Sequence, residues 1–447
     1  VSPDYAALVE GMRRLTLDWC AIPSHAGNPE ALARQAEALR HWLVTELGAT
    51  IVTMEGEAGA PPVIHARLDL GAARTVVLYN MYDVMPATDA GWTRPPFTGG
   101  EAALPGIARA LVARGAENNK GPMAGMLVVL KALRDAGQLR CNVEILLDGQ
   151  EETGSGGLRA YLARPDCPLR PAAAALFPSF CEYGGGPVRM YLGFSGIARG
   201  HVVARHGDWG GPANPIHSSN APWIANPASR LVAALSRFGQ NPTGEIGTIA
   251  FPSDAATILS DLARGFDPAA ELRFRNTRRF TLEGDAETLL RHVLTTATAT
   301  LSSLSTDPPD AEGVIPTAAR ARFALRTPPG LDPRALLDDY AMDLKAEGLE
   351  GVTIAVDDAY PGHRFPPTAP GVAELRHAYE IAPAAPQIWP WAIGAAPAYA
   401  FAPHAESFLI AGLGRGGNAH GPDEFLDLDT CERFLASLGR WLIAMGA

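Results

Sequence analysis

Two short apolar runs, residues 75–79 (TVVLY) and 142–147 (NVEILL), bracket a stretch from 120 to 136 whose apolar residues recur at helical spacing. Runs of this length with β-branched residues read as strands buried on both faces, and the helix between them reads as a crossover. A strand, a helix and a second strand in that order specify parallel pairing, because parallel neighbours need a long connection. The expected class is therefore an α/β sheet with helices on its faces, ligands collecting at the carboxyl ends of the strands. Asp83, Asn118 and Glu151 each follow or lie near such an end. Further helical periodicity covers residues 4–20 and 29–47.

From about residue 193 the pattern changes. Residues 196–205 and 322–326 alternate as strands do, and Pro328-Pro329-Gly330 closes the second of them with a turn. At 447 residues the chain is long enough for two or three domains. An excess of 48 acidic over 37 basic residues, a formal charge of −11, argues against nucleic acid or an anionic membrane as partner. No apolar run reaches membrane-spanning length, and the amino-terminal residues lack a basic-then-apolar pattern, so a cytoplasmic location is expected. The five cysteines are scattered without Cys-x-x-Cys spacing and read as reduced.

Four ordered blocks carry chemistry. They are Tyr79-Asn80-Met81-Tyr82-Asp83, Arg114-Gly115-Ala116-Glu117-Asn118-Asn119-Lys120-Gly121, Asp148-Gly149-Gln150-Glu151-Glu152-Thr153-Gly154-Ser155 and Asn418-Ala419-His420-Gly421-Pro422-Asp423-Glu424. With Trp92 and Pro95-Pro96-Phe97 they resemble the zinc metallopeptidase family of aminoacylase, carnosinase, acetylornithine deacetylase and succinyl-diaminopimelate desuccinylase. The resemblance runs over essentially the whole chain. It implies a discontinuous catalytic α/β domain, residues 1–192 and 362–447, with an inserted α+β lid at 193–361 that carries dimerisation; a homodimer is expected.

The departures fall on the metal ligands. The family pattern has His-x-Asp after the first strand and Asp-Asp-Lys-Gly at the next helix, where this chain has Met81 and Asn118. A further acidic ligand is expected where Pro178 or Ser179 stands. A thioether suits softer ions than zinc, and an amide oxygen carries no charge. Glu152 and His420 match retained ligands, so the residual set for one divalent ion, zinc, is Glu152, His420 and Asn118. Losing carboxylates together with the cations that would hold them is electrostatically consistent, and no metal is the preferred expectation.

The remaining roles follow from the resemblance. Glu151 matches the general base. Asp83, without a histidine to orient, is expected at the substrate, and the crowding of Asp83, Glu151 and Glu152 is expected to raise the pKa of at least one. His217 matches a histidine that the lid presents to an active site, often across a dimer, to stabilise an oxyanion; Arg326 matches a position that binds a substrate carboxylate. In residues 412–417 the loop backbone, Gly416 included, is expected to face substrate. The expected activity is metal-independent acid–base, acyl-transfer or cyclisation chemistry on a small amino-acid-like or peptide-like substrate. The alternatives are a mononuclear metal-dependent amide hydrolase and a non-catalytic binding or scaffold protein.

Overall fold

The computed structural model describes residues 3–56, 59–238, 244–310 and 312–447. Strands Thr75–Met81 and Asn142–Asp148 pair in parallel, as the crossover pattern requires, and helix Lys120–Asp135 connects them. Strands Ala174–Pro178 and Phe408–Ala411 extend the parallel set. The whole sheet has eight strands and is mixed, because Val63–Leu68 runs antiparallel to Asn142–Asp148 and Thr50–Glu55 antiparallel to Val63–Leu68. Helix Lys120–Asp135 buries Met123, Met126, Leu127, Leu130 and Leu133 against this sheet. Helix Cys431–Met445 buries Phe434, Leu435, Trp441 and Leu442 in the same core. Gly125 in the first of these helices lets them approach closely, since a Cβ there would lie 2.6 Å from the Phe434 ring.

A second sheet runs in the order Glu245–Thr248, Thr296–Asp307, Ala318–Thr327, Gly193–Arg205 and Val352–Tyr360, all antiparallel. One face packs helices Pro227–Leu235 and Pro333–Ala346 through Leu231, Ala234, Leu337 and Tyr340. These five strands fall within the stretch expected to be inserted, while His363–Arg364 and Ala392–Ala395, which lie outside it, also pair with Gly193–Arg205. Helices Ala256–Gly265 and Ala286–Thr295 of that stretch pack on the first core instead, through Leu259, Leu262, Leu290 and Leu294. Among the described residues no helix is long and apolar enough to cross a membrane, and all five cysteines are free thiols.

Candidate active site

The carboxyl ends of the parallel strands Thr75–Met81, Asn142–Asp148, Ala174–Pro178 and Phe408–Ala411 converge, and the loops that follow them meet there. A cleft of about 460 Å³ opens at that edge, lined by Glu117, Asn118, Glu151, Ser179, Gly416 and His420. Its walls are aromatic and basic: Phe177, Tyr183, Tyr191, Phe194, Phe274, Arg189 and Arg275. A larger depression of about 730 Å³ lies at the opposite, amino-terminal ends of the strands, beside Arg74, Thr75 and Ala172. The smaller cleft is the candidate site, because it holds the polar residues at the edge where strand carbonyl ends and helix starts face a ligand.

Asn118, Glu152 and His420 form a closed triangle. Asn118 Nδ2 donates to Glu152 Oε1 at 2.8 Å and lies 3.1 Å from His420 Nε2, and His420 Nε2 is 3.0 Å from the same Glu152 oxygen. The Glu152 carboxylate, as hydrogen-bond acceptor to the ring, raises the pKa of His420. His420 takes a left-handed backbone conformation, φ 66°, uncommon for a side chain of this size and held by its loop.

The positions of the other expected ligands are filled by a neutral network. Asn119 Nδ2 donates to Asn80 Oδ1 at 2.8 Å and to the Pro178 carbonyl at 2.9 Å. Ser179 Oγ donates to Asn119 Oδ1 at 3.2 Å, and the Met81 amide donates to Asn80 Oδ1 at 2.8 Å. Met81, Asn80 and Asn119 are fully buried. Every donor here is matched to a neutral acceptor, which a buried cation would not be.

The zinc that the fold family implies can be tested against these groups. A two-ion centre does not fit: the place of the second ion offers a buried thioether, amides and a hydroxyl, with no carboxylate or imidazole. Among the described residues no group of three or more His, Cys, Asp or Glu is placed to hold a metal. For a single ion the donors would be Glu152, His420 and Asn118, one negative charge in all.

Beneath the triangle, Asp83 is 2% exposed and holds the turn that carries both glutamates. Its Oδ1 accepts from the Glu151 amide at 3.1 Å and its Oδ2 from the Glu152 amide at 3.0 Å. Both oxygens are thus engaged from below, which differs from the expected substrate contact: Asp83 still orients, but it orients backbone in place of an imidazole. Burial first, then Asp148 and Glu151, push its pKa well above the carboxylate range. Glu151 lines the cleft, and burial followed by repulsion from Glu152 and Asp148 raises it to about 8, near the operating range of a proton carrier.

Glu117 is a site residue that the sequence reading passed over. Its carboxyl faces the cleft floor, one oxygen being buried without a hydrogen-bond partner, and burial and the nearby Glu424 raise it to about 8. Its place depends on Gly416, where a Cβ would stand 2.2 Å from Glu117 Cγ. Gly416 is therefore required by close approach of a side chain, whatever its backbone offers a ligand. The signal was an acid inside the Arg114 to Gly121 block, directly before Asn118.

Glu424 shapes that block. Its Oε1 accepts from the amides of Gly115, Glu117 and Asn118 at 3.0, 3.1 and 2.9 Å, and its Oε2 pairs with Arg114 in the buried interior. Lys120 is turned away from the cleft, donating to the carbonyls of Trp19 and Ile22 at 2.8 and 2.7 Å.

His217 is not among the residues lining this cleft. It is exposed, with Nδ1 2.8 Å from Ser219 Oγ, on a two-stranded ribbon with Val314–Ile315. Within one chain the lid does not deliver it to Glu151. Arg326 is likewise not among the residues lining the cleft; it projects from the face of the second sheet opposite its packed helices, beside Arg199 and Tyr360, with burial and Arg199 lowering its pKa.

Fold and site together define a metallopeptidase-type scaffold, and the chain belongs to Peptidase family M20/M25/M40, whose profile matches residues 77–444. It is 27% identical to the Cys-Gly metallodipeptidase DUG1 of Candida albicans over 348 residues, 71% of this chain and 69% of that one. It is 32% identical to the Beta-Ala-His dipeptidase of Homo sapiens over 164 residues, 33% of this chain and 31% of the relative. Among solved structures, the M20 family metallo-carboxypeptidase Sso-CP2 from Sulfolobus solfataricus superposes with a TM-score of 0.83 at 22% identity, covering 97% of this chain and 99% of that one. The dipeptidase Dug1p of Saccharomyces cerevisiae superposes with a TM-score of 0.81 at 18% identity, covering 99% and 97%. At these identities the structural matches establish the fold.

Proposed function

We propose that the chain binds a small amino-acid-like or peptide-like substrate in the 460 Å³ cleft and works on its amide by acid–base chemistry without a two-metal centre. The observation that supports this reading most is the matched pair of hydrogen-bond networks. The Asn118–Glu152–His420 triangle and the Asn80–Asn119–Ser179 cluster are each hydrogen-bonded within themselves at the places where the family pattern has metal ligands.

Glu151 is the proton carrier: as carboxylate it takes the proton from an attacking amine, and as acid it returns the proton to the departing nitrogen. A pKa near 8 keeps both forms accessible around neutrality. Asp83 positions it through the turn backbone. His420, held by Glu152, faces the developing oxyanion, and Arg326 takes a substrate carboxylate. Acyl transfer and cyclisation are the reactions that suit such a set. In a homodimer the exposed His217 would join a partner's cleft; the outer edge of strand Thr296–Asp307, with Leu301 and Leu304 42% and 64% exposed, is the surface that favours such pairing.

A single zinc on Glu152, His420 and Asn118 is the second reading. It is favoured by the 3.0 Å between His420 Nε2 and Glu152 Oε1, close to the edge of about 3.3 Å between donors bonded to one zinc ion. The test is elemental mass spectrometry of protein purified without chelator, with turnover of a dipeptide panel measured before and after chelation. Metal-free protein with chelator-insensitive turnover that Glu151→Gln abolishes supports the first reading. Stoichiometric zinc and chelator-sensitive hydrolysis would replace it with the second.

A further inference from the structure

We infer that Arg199 joins Arg326 to make a two-guanidinium site for a doubly anionic group, so that the substrate ends in an acidic residue. The inference rests on the peptide-like reading above and adds a substrate class to it.

Strands Gly193–Arg205 and Ala318–Thr327 pair with Ile197 opposite Arg326 and Arg199 opposite Ala324. Arg199 and Arg326 therefore leave the sheet on the same face, on a diagonal that separates their Cβ atoms by about 7 Å. The other face of these strands carries Ala198, Val202, Phe323 and Leu325 into the core. The arginine face meets the catalytic turn: a Cβ on Gly154 would stand 3.5 Å from Arg199 Nη1.

Among the described residues neither arginine has a side-chain hydrogen bond or a carboxylate within 4.0 Å. The acid that could neutralise Arg199 is Asp358, its cross-strand neighbour, and Asp358 Oδ1 already receives Arg159 Nη2 at 2.6 Å. Arg159 and Arg199 thus share one carboxylate on this wall, whose Oδ2 makes no hydrogen bond. Arg326 and Arg199 repel one another, and a monoanion would leave one of them uncompensated, whereas a dianion satisfies both. A carboxy-terminal Asp or Glu supplies two carboxylates on one residue, one for each guanidinium group.

Calorimetric binding of glycyl-glutamate, glycyl-glutamine and inorganic phosphate to the intact chain tests this, using wild type and Arg199→Leu, with circular dichroism confirming that the variant is folded. Glycyl-glutamate is expected to bind wild type at least tenfold more tightly than glycyl-glutamine, with the ratio falling to about one in Arg199→Leu. A ratio near one in wild type, or a ratio that survives Arg199→Leu, overturns the inference. If neither dipeptide binds but phosphate does so in an Arg199-dependent way, the anion site stands and the peptide-like reading fails. Failure of all three probes overturns both.

Discussion

Replacing Glu117 by Gln should change how stability depends on pH more than it changes stability at any single acidic pH. The carboxyl sits on the cleft floor with one oxygen buried and unpartnered, and its pKa is raised from 4.5 to about 8 by burial and by Glu424. Below pH 4.5 the group is protonated in both folded and unfolded chains and costs nothing. As pH rises, the unfolded chain releases its proton first, so folding loses stability until the folded-state value is passed. The gap between 4.5 and about 8 corresponds to about 5 kcal/mol, and water on the cleft side of the carboxyl reduces this to about 2–4 kcal/mol. Urea unfolding at pH 5 and pH 9 measures it. Wild type should lose about 2–4 kcal/mol more than Glu117→Gln between the two. Parallel losses in the two proteins would refute the placement of Glu117 as a buried, uncompensated acid.

Three further outcomes are expected. Glu424→Ala leaves Arg114 buried without its partner and three loop amides unsatisfied, and should cost about 3–5 kcal/mol in denaturant unfolding. Gly416→Ala should displace Glu117 and weaken ligand binding in the cleft, with a stability cost of about 1–3 kcal/mol by thermal denaturation. Ser179→Asp alone should destabilise the metal-free chain by placing a carboxylate in a neutral network. Combined with Met81→His and Asn118→Asp it should confer zinc uptake, read by elemental mass spectrometry, and regain stability only with the metal.

The strands at 75–81 and 142–148 were legible because a buried parallel strand needs an unbroken apolar run, and nothing else in so short a stretch satisfies that need. Asn118, Glu151, Glu152 and His420 each belong to a block with a local pattern, and the structure brings them to one edge of the cleft. Asp83 was recognisable as a site residue, but its task was not, since two backbone amides 68 and 69 positions away define it. Glu117 and Arg199 were missed for the same reason. One gains its meaning from Gly416 and the other from strand register with Arg326, and both relations are made by packing between distant segments. His217 was read by its motif alone, and the single chain leaves it exposed.

The pairing of Arg114 with Glu424 spans 310 positions, and the same carboxylate organises the backbone of Gly115, Glu117 and Asn118. Contacts that close so long a loop form late in folding, because the entropy of closure must be overcome before they contribute. Strands Val63–Leu68, Thr75–Met81, Asn142–Asp148 and Ala174–Pro178 can therefore pair while the reactive loop still lacks a shape. Competence and completion coincide: the cleft becomes able to recognise anything only once the final helix and the loop before it have docked, so a partly folded chain carries the scaffold of this site without its specificity.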